Sequence, residues 1–233
     1  MANKKVNLPL IGQVTLYKNR RSRNIRIKVR SNHDTLVTLP HWMPYKAALN
    51  FVNSQTDWII KQQQQAAVLV DKQAIGKAHH LYFRHDQAAN SVRSRVNQTE
   101  VIVTLPAQIE YDDQLVQGTA YQACIKALKN ESQTLLPQRL RLLAEGGSFV
   151  YKDVHTRNLK SRWGSCSQNN TIGLNIFLMK LPWQLIDYVL LHELAHTRVH
   201  NHSSKFWDEL SRYAPNYKQL RRQLHSFHPD FNY

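Results

Sequence analysis

With 233 residues and 42% hydrophobic content, the chain can bury a core and is too apolar to be mainly disordered. No apolar run approaches the roughly 20 residues needed to cross a bilayer, and the polar, basic start from Met1 to Asn7 has no hydrophobic signal region, so a soluble protein with a cytoplasmic address is expected. The formal charge of +15 attracts polyanions and keeps nucleic acid among the candidate partners, although no nucleic-acid motif accompanies it and a basic balance also serves solubility.

From Lys18 to Arg30, Ile25, Ile27 and Val29 alternate with Arg26, Lys28 and Arg30, which predicts a strand with one buried and one basic face. After a turn at Ser31 to Asp34, Thr35 to Leu39 reads as a second strand stopped by Pro40, and the two form a hairpin. The basic face is a possible nucleic-acid or substrate contact through Arg26, Lys28 and Arg30, with a solvated strand face as the plain alternative. A helical stretch is predicted from about Pro44 to Val70, with Ala48, Phe51, Val52, Trp58 and Ile59 turned inward.

Strands are predicted around Leu81 to Phe83 and over Val101 to Leu105. Val-Thr-Leu-Pro occurs at 37 to 40 and again at 103 to 106, but four residues are better explained by chance than by duplication. Asp113 to about Pro137 has the apolar spacing of a long amphipathic helix, which makes Cys124 a core residue. Gly146 and Gly147 close that region. Phe149 to His155 and Thr171 to Phe177 are predicted strands on either side of the segment LKSRWGSCS (159–167). Cys124 and Cys166 form no CxxC pair, which argues against a disulfide framework and a thiolate zinc knuckle, and Cys166 reads as a packed or merely small residue. A soft boundary near Ala107 to Asp113 divides a basic, strand-rich part (1–110) from a helix, strands, helix part (111–233).

Pro182 opens a helix whose apolar residues, from Trp183 to Leu194, go nearly all the way round it, as expected of a buried helix. Within it, His192-Glu193-Leu194-Ala195-His196 stacks two imidazoles one turn apart on one face, close enough to share a metal. Glu193 lies beside that stripe, where its carboxylate can take a proton from water instead of binding the ion. A catalytic zinc usually has three protein ligands and one open position. His200 would sit roughly 12 Å from His192 on a straight helix, too far to share an ion. His202 is preferred, because Asn201 tolerates left-handed backbone and lets the chain turn back; Glu209, on a following helix capped by Ser203 or Ser204, is the remaining competitor.

LLHELAHTRVHNHSSKFW (190–207), LKSRWGSCS and Gly173-Leu174-Asn175 together resemble the YgjP-like metallopeptidase family, a zincin group related to SprT-like and WLM metallopeptidases. The resemblance implies an α+β zincin-like core in which the Asp113 to Pro137 helix packs beside the metal helix under a small sheet. It also implies His192, His196 and His202 as Zn2+ ligands, Glu193 as catalytic acid and base, and a protein or peptide substrate. The three-histidine spacing is shared with metzincins, but Val199 stands where their glycine would be and no downstream Met-turn follows. It is also similar to the YbeY family of metal-dependent putative RNases, which Glu193 argues against. A metal-dependent nuclease and a nucleic-acid-stimulated protease stay as alternatives.

In zincins an edge strand above the metal helix pairs with extended substrate, and Thr171 to Phe177 or the strand before it is the natural candidate. Arg162, Trp163 and Gly164 are candidates for the cleft wall, Arg162 being a possible substrate contact, though a tryptophan is more often core and a glycine more often a turn requirement. Tyr213, His225 and His228 are candidate oxyanion donors.

Overall fold

A computed structural model describes residues 3–29, 35–65, 68–159 and 161–231. Residues 1–69 and 112–118 belong to one compact unit and residues 70–111 and 119–231 to a second, so the segment 70–111 falls on the other side of the boundary expected near residue 110.

In the first unit, alternating apolar residues build β1 (Asn3–Leu8), β2 (Gly12–Asn19), β3 (Arg26–Val29) and β4 (Thr35–Pro40), in the order β1-β2-β4-β3. Ile27 faces Val37 across an antiparallel β3/β4 pair, as the hairpin expectation required; its turn and Arg30 lie outside the described residues. The single strand expected from Lys18 to Arg30 is interrupted. Asn19 accepts the Arg21 amide through its side chain and the Ser22 amide through its carbonyl, and this local bonding turns the chain between β2 and β3.

The helical stretch divides into α1 (Tyr45–Ser54) and α2 (Thr56–Gln65) around Gln55. The Ser54 and Thr56 hydroxyls donate back to the Phe51 and Asn53 carbonyls there. Ala48, Val52 and Ile59 are buried with Val14, Leu16, Val37 and Leu39, but Phe51 and Trp58 are 39% and 45% exposed, contrary to the inner-face expectation. No helix reaches Val70, where a turn carries Lys72 at φ 62.

The second unit contains β5 (His80–His85), β6 (Arg93–Val96) and β7 (Glu100–Leu105), then α3 (Gln114–Gly147), whose first turn belongs to the first unit. α3 runs past its expected end at Pro137. Burial of Leu136, Leu140 and Ala144 continues the apolar stripe and outweighs a proline cost of about 3 kcal/mol. β8 (Asp153–Arg157), β9 (Gly164–Cys166) and β10 (Thr171–Asn175) form a third sheet, and a 3-10 segment (Ile176–Lys180) leads into α4 (Trp183–His196), α5 (Ser204–Tyr213) and α6 (Tyr217–Leu224). The chain is thus α+β, with small sheets. No helix among the described residues is long and apolar enough to cross a membrane.

The three sheets share one topology. In β2-β4-β3, β5-β7-β6 and β8-β10-β9, the strand that comes last in sequence lies in the middle, parallel to the first and antiparallel to the second. Val-Thr-Leu-Pro ends β4 and leaves β7, which are equivalent middle strands. The recurrence thus falls at corresponding strands, although the third sheet takes the same topology without it.

α3 is tied to α4 by a bidentate pair, Arg139 donating to both Asp187 carboxylate oxygens at 2.7 and 2.6 Å. A second anchor is internal to the 70–147 region. Buried Glu131 of α3 accepts the amides of Lys77, Ala78 and His79 at 2.6, 2.9 and 2.9 Å and lies 2.6 Å from Nδ1 of His79. A Cβ at Gly76 would overlap the Glu131 carboxylate, so the loop wraps closely round it.

Candidate metal centre and active site

α4 is buried on nearly every side, from Leu185 to His196, because its apolar residues are spread round the helix. The helix stops at His196, and the Arg198 and Val199 amides both fold back onto the Ala195 carbonyl. Asn201 does not take a left-handed conformation; its side chain accepts the Ser203 amide at 3.2 Å, and that turn brings His202 back toward the helix. Ser203 occupies the position before α5 without a side-chain capping bond.

Nε2 of His202 lies 3.1 Å from Nε2 of His196 and 3.1 Å from Nε2 of His192. Among the described residues, these three form the group of possible ligand atoms within 4.8 Å of one another. His200 is outside it. Glu209 is outside it too, held instead by the Arg198 and Arg212 guanidiniums. Arg198 also donates to the Gly147 and Ser148 carbonyls at 2.7 Å each and lies over the Phe149 ring, tying the end of α4 to the end of α3.

The chemistry of the cluster suits a cation. Burial and the neighbouring rings hold His192 down to about 3, and burial also lowers His196, so both are neutral near pH 7. Nδ1–H of His196 donates to the Val199 carbonyl, which leaves a lone pair on Nε2. One hydrogen on His202 Nε2 cannot serve both of its neighbours, so lone pairs crowd together unless an ion takes them. Zinc bonds of ~2.0–2.1 Å in a tetrahedron would separate the nitrogens by roughly 3.3 Å, close to what is seen. Nδ1 of His192 is buried with no hydrogen-bond partner among the described residues. Phe206 and Trp207 brace the rings: His196 stacks on Phe206 at 4.4 Å and His202 on Trp207 at 5.7 Å.

Glu193 is 5% exposed and lies against β9, where a Cβ on Gly164 would meet its Oε1 at 2.5 Å. Burial pushes the carboxyl up to about 8, with Arg162 pulling the other way. The strand next to α4 is β9, inside the segment read as a connector. β10, one of the two candidates for the substrate edge, is the middle strand between β8 and β9 and has no free edge. β8, the other candidate, is an edge strand, but it is β9 that packs on α4. Three residues including a glycine give too short an alternation to read from sequence. Buried Asn175 sets the approach to β9, its Nδ2 donating to the Leu159 and Arg162 carbonyls at 2.8 and 2.7 Å.

A cavity of about 410 Å³ adjoins His192 and Glu193, enclosed by the 161–164 segment, Tyr188 of α4 and the chain from Arg221 to Pro229. His225 and His228 line it. Tyr213 does not; its hydroxyl donates to the Gly147 carbonyl and accepts from Arg198. Tyr188 and Arg221 were not among the sequence candidates, although Tyr188 precedes His192 by one helical turn. Cys166 carries a thiol pushed up to about 11 by burial and Glu193, and it lies outside the histidine group. Arg26 and Lys28 are exposed on edge strand β3 of the first unit.

Among solved structures, the metallopeptidase zymogen of Pyrococcus abyssi abylysin is similar at 26% identity, over 40% of this chain and 95% of that one, with a TM-score of 0.36. The metallopeptidase zymogen of Methanocaldococcus jannaschii jannalysin is similar at 20% identity, over 39% and 94%, with a TM-score of 0.36. No curated protein matches the chain. The family described as YgjP-like, metallopeptidase domain, matches residues 23–227, so that both the histidine cluster and most of the sequence before it fall within the match, and this chain belongs to the YgjP-like metallopeptidases.

Proposed function

We propose that the protein is a zinc-dependent peptidase in which His192, His196 and His202 hold the ion and Glu193 is the general base and acid. The observation that carries the reading is the convergence of three imidazole Nε2 atoms beside a buried carboxylate. Zinc, when bound, supplies Lewis acidity that acidifies water and polarises a carbonyl. Glu193 accepts the proton of the attacking water on a carboxylate oxygen and returns it to the leaving amine. A carboxyl whose affinity for protons lies near neutrality is suited to both steps. An extended substrate would add to the free edge of β9, next to Glu193.

Metal analysis of the wild type beside His192→Ala and His202→Ala tests the ligand set. The wild type should hold about one zinc per chain and each variant far less. Undiminished zinc in His202→Ala would return the third position to another donor. Gly164→Ala tests the position of the carboxylate: the new methyl must displace Glu193, so hydrolysis of a casein-like substrate should fall roughly tenfold or more with zinc content kept. Unchanged hydrolysis would mean that Glu193 works from elsewhere.

The charge of +15 supports one competing reading, a metal-dependent nuclease. Zinc-loaded protein that cut RNA and left casein-like chains intact would favour it. Peptidase rates that rose with added DNA or RNA at low salt would instead point to a nucleic-acid-stimulated peptidase.

A further inference from the structure

Among the described residues, Glu193 is the one acidic side chain lining the cavity beside the histidines, and its carboxylate is assigned to proton transfer. Arg162 and Arg221 line the same cavity, and among the described residues neither has a carboxylate within ion-pair distance. Both side chains are solvent-exposed; the fold fixes the backbone of the first and seats the second over a ring. The Arg162 carbonyl is held at 2.7 Å by Asn175, which is fully buried. The Arg221 guanidinium lies 5.0 Å from the Trp207 ring centroid, and Trp207 in turn stacks on Tyr217 at 5.3 Å and 17°. Trp163, Val189 and Leu224 give the cavity apolar walls.

An aliphatic stem ending in a negative group complements such a space, and guanidinium forks match the two oxygens of a carboxylate. We propose that this cavity is a subsite for a substrate carboxylate, recognised by Arg162 and Arg221, so that cleavage is directed next to an acidic residue or a free C-terminus. The proposal rests on the peptidase reading for its cleavage step but not for its binding step.

Binding is measured in the full-length, metal-free protein, where no metal ion can compete for the carboxylate. The probes are N-acetylated, C-terminally amidated pentapeptides that differ only in a central Glu or Gln, followed by Trp fluorescence and by amide shifts. The Glu peptide should bind roughly tenfold or more tightly at low salt, and the ratio should approach one in Arg162→Ala/Arg221→Ala. The double Lys variant should keep part of the preference, which separates lost charge from lost fold, and circular dichroism checks folding throughout.

The Gln peptide with a free C-terminal carboxylate, set against its amide, distinguishes a C-terminal group from an acidic side chain. Equal binding of all these peptides to the wild type overturns the subsite, as does a preference that survives in the double Ala variant. Zinc-loaded turnover then separates the two readings. A carboxylate preference in binding with no peptide cleaved sinks the peptidase and leaves the subsite, whereas cleavage of neutral peptides with no carboxylate preference in binding or rate does the reverse.

Discussion

Glu193→Gln should lower peptide hydrolysis by about 10²–10⁴-fold while leaving zinc content unchanged, because the amide keeps the shape of the carboxylate but cannot accept the proton. Its effect on stability has the opposite sign. The folded metal-free chain holds the Glu193 carboxyl up at about 8 through burial, above the 4.5 of a free side chain. The stability this brings is fully present below the free value and is lost as pH rises through about 8. Thermal unfolding of the metal-free chain at pH 9 should therefore occur at a higher temperature in Glu193→Gln than in the wild type, while the two approach each other in acid. A variant that hydrolyses casein at the wild-type rate would remove Glu193 from the mechanism. One that loses zinc as well as activity would make it a ligand or a structural support.

Glu131→Ala should be the most damaging substitution outside the candidate centre. It leaves three backbone amides and a ring nitrogen of His79 without their acceptor in a buried site, at a cost of about 3–5 kcal/mol. For a chain of this size the melting temperature would fall by roughly 10 °C. The pH dependence follows from the same contacts. Burial alone would raise the carboxyl, but hydrogen bonds from the Lys77 amide, the His79 ring and the Ala78 and His79 amides outweigh it and hold Glu131 below 4.5. Its contribution is therefore complete above about pH 4.5 and disappears as acid protonates the folded chain. Denaturant titrations between pH 3 and 7 should show a wild-type slope that flattens in Glu131→Gln. A Glu131→Ala protein as stable as the wild type at pH 7 would show that the loop finds other acceptors.

What could be read from the sequence was whatever depends on near neighbours. His192, Glu193 and His196 were legible because a helical repeat fixes their spacing, and the all-round apolar character of α4 announced its burial. The buried face of α3 was legible for the same reason, although its length was not, since a proline rule had to compete with packing that only the fold reveals. Strand order was not legible. Pairing of β8, β10 and β9 joins residues through contacts that leave no periodic mark, and β9 is too short to alternate. The turn that carries His202 back toward the other two rings was misread, because the Asn201 side chain, not a left-handed backbone, makes it. The Glu131 anchor was visible in principle as a charge on a buried stripe; its partners, some 50 residues earlier, were not.

The insertion of each last strand between the two before it has a consequence for synthesis. As the chain leaves the ribosome, β8 and β9 emerge with a gap between them, and neither has its neighbour until Thr171–Asn175 arrives. The same holds for β5 with β6; in the first sheet β2 already has β1 on one side, and its other edge and β3 wait for β4. Each sheet therefore closes in one step, late within its own short segment but without waiting for distant sequence. A chain interrupted just before any middle strand would present two open edges at once, the form of a nascent protein most in need of a chaperone.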